Sequence, residues 1–283
     1  MNSFFSIIRK ATACEMEKEF TKAFNLYFES EYYTTDLSSK IKIRAKMAWC
    51  QYSVGNPKET EFHFQYLLDN FSDHPLSYVL YSKYQIKLRK FKSAKLILKK
   101  GISLYPSFLE YYLLLASLLK DMDRSEESIE VLKIALAQEN LTKSKGIGRK
   151  DIWSELGSLF YSRGDYNSAL ACLRKALKMG DESEFLNYEL LSLCYLELED
   201  PENALKSIEA FIEYIGEIDP EVLIIQSRAK CRLGLLDEAA QLLIQAYSYE
   251  DSLQLNGTEM TDFAPLLRNG FFTTLENIEW EEP

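Results

Sequence analysis

Apolar, small and polar positions alternate most clearly in WSELGSLFYSRGDYNSALACLRKALKMGD. There Trp153, Leu156, Gly157 and Phe160 are followed by Gly164, then by Tyr166, Ala169, Leu173 and Ala176. Spacings of three and four residues place each group on one face of an α-helix. The Gly between them supplies the left-handed residue that ends the first helix. A small residue then returns along the whole chain, at Ala23, Thr60, Ala94, Ser128, Ala169, Ala204 and Ala239, in steps of 37, 34, 34, 41, 35 and 35. The pattern predicts seven helix-turn-helix hairpins. Eleven Gly and seven Pro in 283 residues agree with long helices and short turns and argue against an all-β fold.

The stretch from Trp153 to Ala176 resembles the tetratricopeptide-repeat motif, with Trp, Leu and Gly in the first helix and Ala, Leu and Ala in the second. Counting Trp153 as position 4 and the returning small residue as position 20, repeats start near 4, 41, 75, 109, 150, 185 and 220. Position 8 plays no part in setting this register and so tests it. It holds Ala11, Ala48, Ser82, Ala116, Gly157, Ser192 and Ser227, small every time, although Ala, Gly and Ser make up only 56 of the 283 residues. Positions 8 and 20 are where the two helices of a hairpin cross, and small side chains let their axes approach. Position 27 is small in five repeats and departs at Leu67 and Phe211, where a looser or rearranged contact is expected. Gly55, Gly164 and Gly234 fall at position 15, and Pro75 and Pro220 open helices. The resemblance implies an all-α, right-handed α-solenoid over residues 1–253. Residues 141–150, LTKSKGIGRK, read as a loop insertion, and residues 254–283 as a C-terminal helical cap. In that tail Phe263, Leu266, Leu267, Phe271, Phe272, Leu275 and Ile278 are expected to cover the apolar end of the last repeat around Leu242, Leu243, Ala246 and Tyr247. The rival expectation is that the acidic, aromatic end around Trp280 folds back into a basic groove.

Charge changes the picture. The net of −10 divides into +7 over residues 1–108, with 17 Lys and Arg against 10 Asp and Glu, and −17 over the remainder. Five Cys at 14, 50, 172, 194 and 231 form no C-x-x-C pair and are odd in number, as expected of reduced thiols in a cytoplasmic protein. The first residues lack the order of a signal peptide, and no run of about 18 apolar residues spans a membrane.

Candidate chemistry is sparse. His63 and His74 are the only histidines, and neither has a Cys or carboxylate at metal-ligand spacing. Gly146-Ile-Gly148 lacks the rest of a phosphate loop, and Asp121-Met-Asp123 lacks the rest of a calcium loop. No catalytic residue, metal or cofactor is expected. The resemblance implies instead a groove lined by positions 2, 5, 9, 12 and 13 of each first helix. Lys42, Trp49, Tyr52, Lys83, Lys87, Lys120 and Tyr161 are its candidate contacts, with an exposed Trp and Tyr among lysines. Asp151, Glu189, Glu197 and Glu221 line it further on, with Arg228 and Arg232 at the far end. The implied function is an adaptor for another protein, its ligand acidic or acidic-hydrophobic. No three consecutive repeats match the Lys/Asn carboxylate clamp of chaperone-binding relatives. The alternative is RNA binding through Lys83, Lys87, Arg89, Lys90, Lys92, Lys95, Lys99 and Lys100, which the acidity of the whole chain opposes.

Overall fold

The computed structural model describes residues 2–138, 148–179, 186–216, 219–249 and 255–268. Among them run fifteen α-helices: α1 (Asn2–Met16), α2 (Phe20–Glu31), α3 (Leu37–Ser53), α4 (Pro57–Asn70), α5 (Pro75–Lys87), α6 (Phe91–Leu104), α7 (Leu109–Lys120), α8 (Ser125–Ala137), α9 (Arg149–Ser162), α10 (Tyr166–Met179), α11 (Leu186–Glu197), α12 (Pro201–Ile215), α13 (Pro220–Arg232), α14 (Leu236–Tyr249) and α15 (Gly257–Arg268). The chain divides into two compact units, Met1–Gly148 and Arg149–Pro283. The first holds four hairpins, α1 to α8. The second holds three, α9 to α14, and α15. Within each unit the two helices of a hairpin pack together, and the second packs on the first helix of the next hairpin. Most of the expected insertion lies outside the described residues. Arg149 and Lys150, expected to end that loop, instead form the first turn of α9, just ahead of its first buried side chain, Ile152.

The helix crossings account for the hairpins. All fourteen residues at positions 8 and 20 are buried. Where one of them is Ser, its hydroxyl can bridge the crossing. Ser128 Oγ donates to the Ala116 carbonyl at 2.8 Å, Ser192 Oγ to Ala204 at 2.8 Å and Ser227 Oγ to Ala239 at 2.6 Å. Each bond joins position 8 of one helix to position 20 of its partner, so a buried hydroxyl is satisfied and the contact is pinned. At Gly157 a Cβ would stand 2.6 Å from Leu173 Cδ2, so a larger residue must displace the Leu173 side chain or part α9 from α10. Leu67 and Phe211, the two departures at position 27, are buried in the apolar clusters of their own units.

The turns repeat as faithfully. Position 15 has positive φ in all seven hairpins, at Lys18, Gly55, Arg89, Asp123, Gly164, Glu199 and Gly234. Asp123, in the segment that lacks the rest of a calcium loop, is thus a turn residue. Pro75 and Pro220 stand at the first turn of α5 and α13, where the missing N–H costs nothing. Among the described residues no helix is long and apolar enough to cross a membrane.

Candidate functional site

In the N-terminal unit the face in question is carried by α3, α5 and α7. Lys42, Lys83, Lys87 and Lys120 are all exposed on these helices. Lys83 Nζ lies 2.7 Å from Glu110 Oε1, at position 2 of the next repeat, so positions 9 and 2 of successive first helices are neighbours. Glu110 was not among the residues expected from sequence. Trp49 and Tyr52 differ from their expected exposure: both are half-buried. The Trp49 ring meets Tyr52, Phe64 and Tyr84 edge-on, with centroids 5.6, 5.5 and 6.0 Å away. Phe64 and Tyr84 in turn stack at 4.5 Å. The physical reason is that α4 and α5 both supply rings to the same layer, and edge-to-face contact favours drawing the indole in. Burial and the nearby Glu61 carboxylate push the Tyr84 hydroxyl up to about 12, so it stays neutral.

Part of the lysine stripe of the third hairpin is already engaged. Lys95 pairs with Glu127 at 3.2 Å, and Lys100 lies 5.8 Å over the Tyr78 ring. Between α6 and α8, floored by Leu115 and Leu119 of α7, an apolar cleft of about 310 Å³ opens beside that Lys95–Glu127 pair.

In the C-terminal unit the first helices α9, α11 and α13 carry Asp151, Glu189, Glu197 and Glu221 among the expected face positions. Glu189 is half-buried near Asp219 and Glu221, and burial followed by those two charges raises its pKa. Tyr161 is half-buried with Tyr166 at 5.5 Å, and burial, followed by the Glu197 charge, pushes its hydroxyl up to about 12. Arg228 and Arg232 do not line an open surface. Arg228 is only 3% exposed; its Nε donates to Asp262 Oδ2 at 2.7 Å and Arg232 Nε to Asp262 Oδ1 at 2.6 Å. Arg232 Nη1 also donates to the Leu196 carbonyl of the preceding first helix. Asp262 belongs to α15, whose Phe263 and Leu266 are buried in one cluster with Leu223, Ile224, Cys231, Leu243 and Ala246. Leu242 and Tyr247, the other two expected contacts of the tail, pack on that cluster half-buried. Phe271, Phe272, Leu275, Ile278 and Trp280 lie outside the described residues, as does the Leu267 side chain.

The tetratricopeptide-repeat family model matches residues 109–139 and 151–179. These are tetratricopeptide repeats. No curated protein matches the chain. Solved structures do, at identities that carry the fold alone. PilW, described as a widely conserved type IV pilus biogenesis factor, is 14% identical with a TM-score of 0.61, over 78% of this chain and 97% of that one. The C-terminal part of a tetratricopeptide-repeat protein from Cytophaga hutchinsonii is 14% identical with a TM-score of 0.59, over 90% and 98%. YrrB, described as a tetratricopeptide-repeat protein with an unusual peptide-binding site, is 13% identical with a TM-score of 0.54, over 70% and 96%. Tetratricopeptide-repeat proteins are in general protein-interaction scaffolds. That general role is consistent with the exposed first-helix faces of this chain.

Proposed function

We propose that the protein is a non-catalytic adaptor whose repeats, residues 1–253, hold an acidic or acidic-hydrophobic segment of a partner protein. The observation that carries this reading is the set Lys42, Lys83, Lys87 and Lys120, all exposed on α3, α5 and α7, with the half-buried rings of Trp49 and Tyr52 also on α3. Ammonium groups supply the field that steers an acidic ligand, and amphipathic rings supply contact area at little entropic cost. The Lys83–Glu110 pair does not oppose this. Lys83 stays 44% exposed in this pair, although Glu110 is only 14% exposed, so its ammonium can still face a ligand carboxylate. YrrB offers a tetratricopeptide-repeat precedent for a peptide as ligand. Five free thiols, four of them buried, fit a reducing compartment, and we place the protein in the cytoplasm.

Affinity capture with and without nuclease identifies the partner, and its binding kinetics then test the surface. Lys83→Glu with Lys87→Glu should slow association and flatten its salt dependence. Unchanged binding by this double variant rejects the assignment of the face. Capture that nuclease abolishes transfers the reading to RNA and the lysines of the third hairpin.

A further inference from the structure

Each first helix inside a unit packs mainly on the second helix of the preceding hairpin and touches the preceding first helix only lightly. Helix α15 reverses this order: it lies mainly on the first helix α13 and only lightly on α14. It therefore does not take the place that an eighth repeat would continue into. Instead it lies over ligand-facing positions of the seventh repeat. Ile224, Arg228, Cys231 and Arg232 are positions 5, 9, 12 and 13 of that repeat. Ile224 and Cys231 share a buried cluster with Phe263 and Leu266, and both arginines bond Asp262.

Resting on the reading of first-helix faces as the binding surface, we infer that α15 is an intrachain ligand. On its release the same positions take a helical segment of a partner that presents an acidic side chain followed by an aromatic one, as Asp262-Phe263 does. Two features of the contact support exchange. The segment carries its own start signal: Asn256 Oδ1 accepts the N–H of Thr258 and Glu259, both at 3.1 Å, and Glu259 Oε2 accepts the Asn256 N–H at 2.9 Å. This capping box needs nothing from the repeats, so a separate segment of this type carries the same helix start signal onto the surface. The arginines, moreover, are incompletely used. Asp262 splits its two oxygens between two Nε atoms, whereas a guanidinium binds best through a parallel pair of N–H groups to one carboxylate. Arg228 Nη2 is buried with no hydrogen-bond acceptor among the described residues, and the Glu197 and Glu259 carboxylates stand 3.5 and 3.9 Å from its Nη2 and Nη1. A partner carboxylate that approaches this edge squarely can hydrogen-bond Nη2, which has only the ion pair with Glu197 of α11.

Hydrogen exchange on the full chain gives the first test. Amides of α15 exchanging faster than those of α13 support release, and equal protection of the two helices overturns it. The second uses the full chain with Asp262→Ala and Phe263→Ala, titrated with a labelled synthetic peptide of residues 255–268. A tethered copy competes at an effective concentration of about millimolar, so the variant should bind the peptide at least about tenfold more tightly than the wild-type chain. Asp262→Asn in the peptide, or Arg228→Ala added to the chain, should each cost about tenfold through one lost charged hydrogen bond. Equal peptide binding by variant and wild type, or loss of helical structure in the variant, shows α15 to be an integral part of the fold and overturns the inference. The Lys83 and Lys87 test addresses the other unit, so either proposal can fail alone.

Discussion

Residues 1–148 hold 22 Lys and Arg against 17 Asp and Glu, whereas residues 149–283 hold 11 against 26, although both units are built from the same hairpin. The positions that make the hairpin do not differ between them. Positions 8 and 20 are buried throughout, and position 15 is left-handed throughout. The positions that face outward carry the contrast: exposed lysines and half-buried aromatic rings in one unit, carboxylates and a covered arginine pair in the other. A repeat separates these duties because helix crossings and position 15 decide the fold, which leaves the remaining surface positions free to differ in charge.

The largest effect should come from overfilling a crossing or stacking contact in either unit. Gly157→Leu collides with Leu173 in the C-terminal unit. Gly101→Leu does so in the N-terminal unit, where even a Cβ would stand 2.7 Å from the Tyr111 ring. Each should cost about 3 kcal/mol, read as a lowered denaturation midpoint. A midpoint unchanged for one of the two would show that its unit tolerates at this contact what the other does not.

Acid should separate the units next. In the N-terminal unit His63 is buried between Phe24 and Phe62, with ring centroids 5.6 and 5.5 Å away, and its Nδ1 has no partner among the described residues. Arg44 of α3, itself held by Glu31 of α2 at 2.7 Å, adds like charge nearby. Burial first and Arg44 second push His63 from 6.5 down to about 4. The unfolded chain therefore takes up a proton that the folded one refuses. Stability is complete above pH 6.5 and falls as the pH drops toward 4, by about 3 kcal/mol. His63→Leu should flatten that part of the pH profile; a profile that stays as steep excludes His63 as its source.

Glu189 gives the C-terminal unit the opposite sign. Its raised pKa means that the folded state resists ionising it, so its cost is absent below its ordinary value of 4.5 and grows as the pH rises above that. Glu189→Gln should stabilise the protein at pH 7 and leave it unchanged near pH 4. Thermal melts at the two pH values check this smaller effect, and equal shifts at both would mean that charge is not the reason.

How much of this was legible depends on range. Position 8 could be read because every hairpin repeats the same steric demand, and the residues that meet it lie about twelve places apart. Lys83 could be placed on its face, but its partner Glu110 is 27 residues away and belongs to the next repeat, which a pattern within one repeat does not register. Trp49 carried the same difficulty, since Phe64 and Tyr84 come from two other helices. The covering of Arg228 and Arg232 joins residues 34 and 30 apart across a break in the repeat. Its only signal was two basic residues facing outward in the last repeat, with acidic residues on an apolar segment just beyond.

The smallest effect concerns the turns, where the units differ in how position 15 is filled. Gly occupies it at Gly55 alone in the N-terminal unit and at Gly164 and Gly234 in the other, with φ of 81°, 76° and 78°. Lys18, Arg89, Asp123 and Glu199 adopt φ of 55° to 61° despite their side chains. Left-handed backbone costs an L-residue roughly 1–2 kcal/mol, and Gly escapes that cost but loses roughly 0.5–1 kcal/mol more chain entropy on folding. The difference leaves Arg89→Gly stabilising by about 0.5 kcal/mol, and Lys18→Gly by a similar amount. Asp123→Gly should gain less, because Asp tolerates this region through its own short polar side chain. Gly164→Ala runs the other way. Its Cβ would meet nothing within 4 Å, so any loss it causes measures the backbone term without a clash. Denaturant melts of the four variants should therefore order as Arg89→Gly and Lys18→Gly above Asp123→Gly, with Gly164→Ala below the wild type. If Gly164→Ala is neutral, the turn of α9 and α10 relaxes out of the left-handed region, and position 15 constrains the C-terminal unit less than the N-terminal one.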